Sequence, residues 1–166
     1  PFLSSTVSPS ITLITSYWTK LDLLLSDIDP LGDKLASGAE VTSFVATDNY
    51  AVAKVQGAVA ATLVNDGDTV IYVTGNQAQS TGQERRNGFM EAFSAARPGS
   101  KILEVPTEWN SEQAQEGVEA VLNANGDVKM VVNAWDGGTM GAKAALENLG
   151  YGAGDIKLVG FDGAGD

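Results

Sequence analysis

The sequence predicts an α/β domain with a largely parallel sheet and helices on both faces, and three observations predict it. From about residue 41 onward, short β-branched runs alternate with longer amphipathic segments, which is the rhythm of βαβ units. Hydrophobic residues make up 43% and charged residues 19% of the chain, a globular composition; a disordered chain would lack the apolar surface that offsets backbone entropy. Each helical segment also ends on a stop signal. A length of 166 residues suits one domain with a real hydrophobic core.

The expected strands are Val41–Ala46, Thr69–Val73, Lys101–Val105, Val128–Asn133 and Ile156–Gly160. The first helix is expected from about Asn49 to Asn65, capped by Asp48 or Asn49, with Val52, Val55, Val59 and Leu63 on one stripe at helical spacing. The second, from about Thr81 to Ala96, turns Phe89, Met90 and Phe93 inward and stops at Pro98-Gly99. The third begins after Asn110 or Ser111, buries Val118, Val121 and Leu122, and ends near Gly126. The fourth runs from about Gly138 to Leu149 and ends at Gly150, where a left-handed backbone costs little.

Charge and composition remove several function classes. The net charge of −11, with Arg85 and Arg86 the only adjacent basic pair, argues against a nucleic-acid partner, since phosphate binding needs clustered Lys and Arg. The absence of Cys and His excludes zinc-thiolate sites, thiol catalysis, Ser-His triads and histidine bases. Neither a cofactor nor a metal is expected. The chain starts at Pro1 without a basic n-region or a long apolar run. Any export signal is expected to have been lost or removed, and no membrane insertion is expected. Residues 1–26 show no sustained period. They are expected to be either an irregular arm or, for about the first 25, the product of a shifted reading frame.

Several segments carry a resemblance. Phe44-Val45-Ala46-Thr47-Asp48-Asn49 opens a helix, Glu84-Arg85-Arg86-Asn87-Gly88-Phe89 lies in the next, and Leu158-Val159-Gly160-Phe161-Asp162-Gly163 ends a strand. Asp136-Gly137-Gly138-Thr139-Met140-Gly141-Ala142 starts another helix. In this order and spacing, over roughly residues 27–166, the chain resembles the ribose/galactose-binding type of type I periplasmic binding proteins. The resemblance implies one lobe of a two-lobed fold, with a sugar held between lobes joined by three chain crossings. Residues 27–40 would be the end of an N-lobe strand and a connection, and residues 41–166 a truncated C-terminal lobe. Val45–Asn49 would be the first crossing, and Asp162-Gly163 would lead back.

The resemblance also implies site residues. Asp27 and Asp162 match the family's ligand-binding aspartates, and Trp109 falls where the family sets an aromatic ring against the sugar. Gln83 stands where an Arg is common, which favours a neutral polyol or a sugar of different hydroxyl stereochemistry over an acid. Trp135 stands where an amide is common and could stack on the sugar instead, which points away from ribose itself. Asn49 would reach the cleft from the crossing. Arg85 and Arg86 read as a helix surface pair, and loop Thr74–Ser80 as either a contact or a solvated turn.

The implied function is non-catalytic capture of a small neutral sugar or polyol in the bacterial periplasm, for an ABC permease. The alternative is the effector-binding core of a sugar-responsive transcription repressor. An enzyme using Asp27, Asp29 and Asp162 as acid and base would be a third class. The chain as it stands is expected to be unable to bind sugar as the whole protein does, and to form a homo-oligomer.

Overall fold

The computed structural model describes residues 47–163, which belong to a compact unit spanning Ala46–Asp166. Asp27, residues 1–26 and the expected strand Val41–Ala46 lie outside the described residues. The described elements alternate without exception: α1 (Asn49–Thr62), β1 (Thr69–Val73), α2 (Ser80–Ala96), β2 (Lys101–Val105), α3 (Ser111–Ala124), β3 (Val128–Asn133), α4 (Asp136–Asn148) and β4 (Lys157–Val159). The strands form a sheet in the order β2-β1-β3-β4, every neighbouring pair parallel. The helices and strands expected from the sequence in this region are all present.

The two central strands, β1 and β3, are nearly continuous apolar runs because both faces of a parallel sheet are covered. Side chains that alternate along them feed two separate cores. Val70, Tyr72, Met130 and Val132 pack with Phe89 and Phe93 of α2 and with Ala60 and Ala61 of α1. Ile71, Val73 and Val131 pack on the opposite face with Val118 and Leu122 of α3 and with Ala142, Ala145 and Leu146 of α4. In the first core the rings of Tyr72 and Phe89 stack at 4.2 Å, and Phe93 follows at 5.3 Å from Phe89. Burial pushes the Tyr72 phenol well above its ordinary range, so it stays neutral at any physiological pH.

Helix α1 starts at the expected residue and ends at Thr62, short of the expected Asn65, with Asp48 Oδ1 accepting from the Ala51 amide at 2.9 Å as its cap. The direction of its valine stripe is a finding. Ala53, Gly57, Ala60 and Ala61 face inward, whereas Val52, Val55 and Val59 are 41%, 63% and 50% exposed. The cause is the close approach of α1 to α2. A Cβ on Gly57 would lie 2.7 Å from the Phe89 carbonyl oxygen, and one on Gly88 would lie 2.3 Å from the Tyr50 carbonyl oxygen. Only small side chains fit between backbones at that separation, so the larger ones take the outer face. Gln56 is a buried polar side chain of this helix: its Nε2 donates to the carbonyls of Asn133 at 2.8 Å and Gly160 at 2.7 Å, tying the ends of β3 and β4 to the helix.

The connections have a direction. Helix α2 carries the chain outward from β1 to β2 on one face, α3 brings it back past β1 to β3 on the other, and α4 continues to β4 on that second face. The winding therefore reverses at β1 and β3. Loops leaving those two neighbouring strands turn to opposite faces, and a crevice opens between them at the carboxyl end of the sheet.

The contact at Gly88 decides between two opposed effects. Alanine gains about 1 kcal/mol over glycine in a helix interior, but overpacking costs about 1–3 kcal/mol, and a backbone carbonyl at 2.3 Å has little room to yield. Gly88→Ala is expected to lower the urea midpoint without changing the slope; a raised midpoint would show that the helices separate freely.

Candidate functional site

The floor of the crevice is built from backbone bonds that extend the ladder past the strand ends. The Thr74 amide donates to the Val105 carbonyl at 2.9 Å, and the Ala134 amide to the Val73 carbonyl at 3.0 Å. Thr107 Oγ1 donates to the Thr74 carbonyl at 2.7 Å. The loops after β1, β2 and β3 thus leave from fixed points.

Trp109, in the loop after β2, has a φ of 60° and is the only described residue other than glycine with a positive φ. A bulky side chain in that region costs about 1–3 kcal/mol and persists only when its surroundings over-determine it. Here Trp109 Nε1 donates to Gln79 Oε1 at 2.6 Å, and the indole lies directly on Gly75, where a Cβ would fall 2.1 Å from Cη2. Trp135, after β3, meets Trp109 edge to face, with centroids 5.3 Å apart and planes at 88°. That geometry is favoured by the ring quadrupoles. Trp135 in turn lies over Gly137 and Gly138 in the first turn of α4.

Asp162 stands beside this aromatic corner. Its Oδ1 accepts from Arg85 Nη1 at 3.0 Å, and its Oδ2 accepts a longer bond from the Asp136 amide at 3.4 Å. The carboxylate therefore sits at the first turn of α4, where amide groups and the helix dipole favour an anion. Its side chain remains 41% exposed, which leaves acceptor capacity facing solvent.

Arg85 corrects the reading of a helix surface pair. Its side chain is only 14% exposed. Nε donates to Asn49 Oδ1 at 3.0 Å, and Nη1 donates to the Ala134 carbonyl at 2.6 Å as well as to Asp162. The guanidinium lies 4.1 Å from the centroid of Phe161 and 5.8 Å from that of Trp109. Helical spacing carries the signal that finds it, because Arg85, Phe89 and Phe93 repeat at four residues and share the inward stripe of α2. Gln79 belongs to the loop Thr74–Ser80, expected as either a contact or a solvated turn; its bond to Trp109 depends on the fold of the loop after β2. Arg86 does lie on the surface: Nε and Nη2 each reach Glu104 at 2.6 Å, a bidentate pair that holds its charge more firmly.

The structure thus brings Trp109, Trp135 and Asp162 together at one mouth of the sheet, and Asn49 joins them through Arg85. The buried Asn49 amide is committed to protein, since its Nδ2 also donates to the Thr47 carbonyl at 3.3 Å. Gln83 is exposed on the rim; its Nε2 donates to the Gln77 carbonyl at 2.8 Å, and Gln77 Nε2 in turn donates to the carbonyl of Gly75, beneath Trp109. Asp27 lies outside the described residues. Chemically the arrangement offers a flat apolar wall for C–H faces next to a carboxylate that can accept from adjacent hydroxyls.

A model of the periplasmic binding protein domain matches residues 28–166. The chain belongs to this family. It is 34% identical over 128 residues to the D-allose-binding periplasmic protein of Escherichia coli K12, covering 76% of this chain and 41% of the relative. It is 31% identical over 134 residues to the ribose import binding protein of the same organism, covering 81% and 44%. Among solved structures it is similar to an ABC transporter periplasmic solute-binding protein from Actinobacillus succinogenes with bound D-allose, with TM-score 0.67, 29% identity and coverage of 77% and 45%. The chain spans less than half the length of these curated relatives.

The periplasmic-binding-protein unit depends on Gly75 to seat its aromatic corner. Gly75→Ala is expected to displace the Trp109 indole and to reduce the near-ultraviolet circular dichroism of the tryptophan pair by at least half, with far-ultraviolet ellipticity retained. Unchanged near-ultraviolet signal would contradict the packing described.

Proposed function

We propose that this chain supplies the C-terminal-lobe half of a binding site for a small neutral sugar or polyol, in a non-catalytic periplasmic protein that serves ABC-type import. The observation that carries this reading is Trp109, held at a φ of 60° against Trp135 with the Asp162 carboxylate alongside. A strained aromatic supported from several sides is what a preorganised binding wall requires. The relatives named for allose and ribose binding favour capture over an effector-binding regulatory core. Trp135 in place of an amide favours a ligand that presents more C–H surface than ribose does. The proposed partners are a monosaccharide or polyol and, for the whole protein, a permease that receives it.

The chain is proposed to bind such a ligand weakly by itself, because one lobe leaves most of a sugar in water. Saturation-transfer-difference NMR against a panel of neutral aldoses, polyols and sugar acids tests this. Neutral ligands are expected to show transfer at millimolar concentration, and Trp109→Ala is expected to reduce it at least fivefold. No transfer from any neutral sugar, or binding that survives loss of both Trp109 and Trp135, would overturn the proposal.

Self-association belongs to the same reading. The outward face of α1 aligns Val52, Val55, Val59 and Leu63, spaced as in a helix–helix seam, and Lys54 is the only charged residue of the helix. A second copy of the chain is the proposed cover. Light scattering at tens of micromolar is expected to give more than the monomer mass, and Val55→Glu with Val59→Glu is expected to restore the monomer; a wild-type monomer would refute self-association.

A further inference from the structure

Arg85 touches the start of α1 and the segments after β2, β3 and β4, and two of these have a special position in the chain. Thr47-Asp48-Asn49 leads into the unit and ends on the first residue of α1, and Gly160-Phe161-Asp162-Gly163 leads away from β4. The two lie at opposite ends of the described sequence and share no strand pairing with one another. Both are nevertheless fastened to the same guanidinium. Nε holds Asn49 Oδ1 at 3.0 Å, and Nη1 holds Asp162 Oδ1 at 3.0 Å while also holding the Ala134 carbonyl, which is fully buried at the end of β3, at 2.6 Å. Phe161 covers the guanidinium face at 4.1 Å.

We propose that Arg85 is a positioning residue that clamps the incoming and outgoing segments to the body of the sheet, so that residues 47–49 and 160–163 move with the sheet as one piece. This deepens the sugar-binding reading and rests on it in one respect: if a second lobe closes over the mouth, these residues do not bend during closure. The clamp also presets Asp162 before any ligand arrives. The argument rests on the guanidinium's shape. A planar group with donors on different edges can hold an amide oxygen and a carboxylate from two segments at once while its face stacks on an aromatic ring; an ammonium is a point charge without a fork or a face. Nor is the pairing with Asp162 sufficient by itself, since an ion pair with a partner 41% exposed belongs to the weak surface class. The buried Ala134 carbonyl anchors the arginine to the sheet, and both segments are fastened to it, Asn49 through its amide oxygen and the outgoing segment through the Asp162 carboxylate and the stacked Phe161 ring. Gln56 secures the Gly160 carbonyl independently at 2.7 Å, so the segment beyond Gly160 is the part that depends on Arg85.

The test is backbone ¹⁵N relaxation on the ligand-free 166-residue chain, comparing wild type with Arg85→Met, Arg85→Lys and Asp162→Asn. Wild type is expected to show order parameters near the rigid value of about 0.85 at residues 48–50 and 161–162. In Arg85→Met both segments are expected to fall below about 0.6 while β1 and β3 stay rigid. Arg85→Lys is expected to restore at most one segment, and Asp162→Asn to loosen only the outgoing one. Should Arg85→Met fail to fold, the double variant Asn49→Ala with Asp162→Asn gives the same reading. Order retained in both segments without Arg85, full rescue by lysine, or a uniform loss across the whole unit would each overturn the clamp. No sugar takes part in the measurement, so a silent sugar titration with loosened segments would sink the binding proposal and leave the clamp standing.

Discussion

The structure depends on one topological constraint: the winding of the parallel sheet reverses between β1 and β3. Parallel strands need crossover helices, and a sheet covered on both faces needs helices on each. With α1 and α2 on one face and α3 and α4 on the other, the loops after β1 and β3 must diverge. The residues gathered at that divergence come from points far apart in the chain: Gly75 and Gln79 after β1, Trp109 after β2, Trp135 after β3 and Asp162 after β4. No local segment could assemble them. The chemistry of the mouth is a consequence of strand order, and the side chains then exploit it.

Within that frame the magnitudes show how the mouth is held. A tryptophan at positive φ costs about 1–3 kcal/mol. A buried neutral hydrogen bond returns about 0.5–1.5 kcal/mol, and an edge-to-face aromatic pair about 0.5–1.5 kcal/mol. The Nε1 bond to Gln79 and the contact with Trp135 are together comparable with the strain, so neither alone secures the conformation. The close fit on Gly75 removes the alternative positions. Arg85 works in the same way, since its exposed pairing with Asp162 contributes little alone while the bond to Ala134 and the Phe161 stack fix where the charge sits. The mouth is held by several modest interactions that share the same few groups.

Much of this was legible in the sequence. The β-branched runs at Thr69 and Val128 gave strands at the expected bounds because buried parallel strands have a strong composition signal, and the half-exposed edge strand at Lys101 was marked by the turn signal of Pro98-Gly99 before it. Trp109, Trp135 and Asp162 could be placed at one mouth because all three follow strands that must point the same way. The valine stripe of α1 was legible as a stripe but not in direction: periodicity marks a face without saying whether the helix opposite has left room for it, and Gly57 with Gly88 closed that room. Arg85 was read as surface because an arginine beside another arginine in a helix usually is. Its spacing to Phe89 and Phe93 places it inward, and what it meets there depends on Asn49 and Asp162, each more than thirty residues away in sequence.

The account turns on whether a sugar is received at this mouth. The most direct measurement is a two-dimensional ¹H–¹⁵N titration of the chain with D-allose and with other neutral monosaccharides up to tens of millimolar. The account predicts progressive shifts confined to the indole resonances of Trp109 and Trp135 and the amides of residues 75–79, 134–137 and 161–163. Shifts centred on the opposite end of the sheet, or none at those resonances, would contradict it.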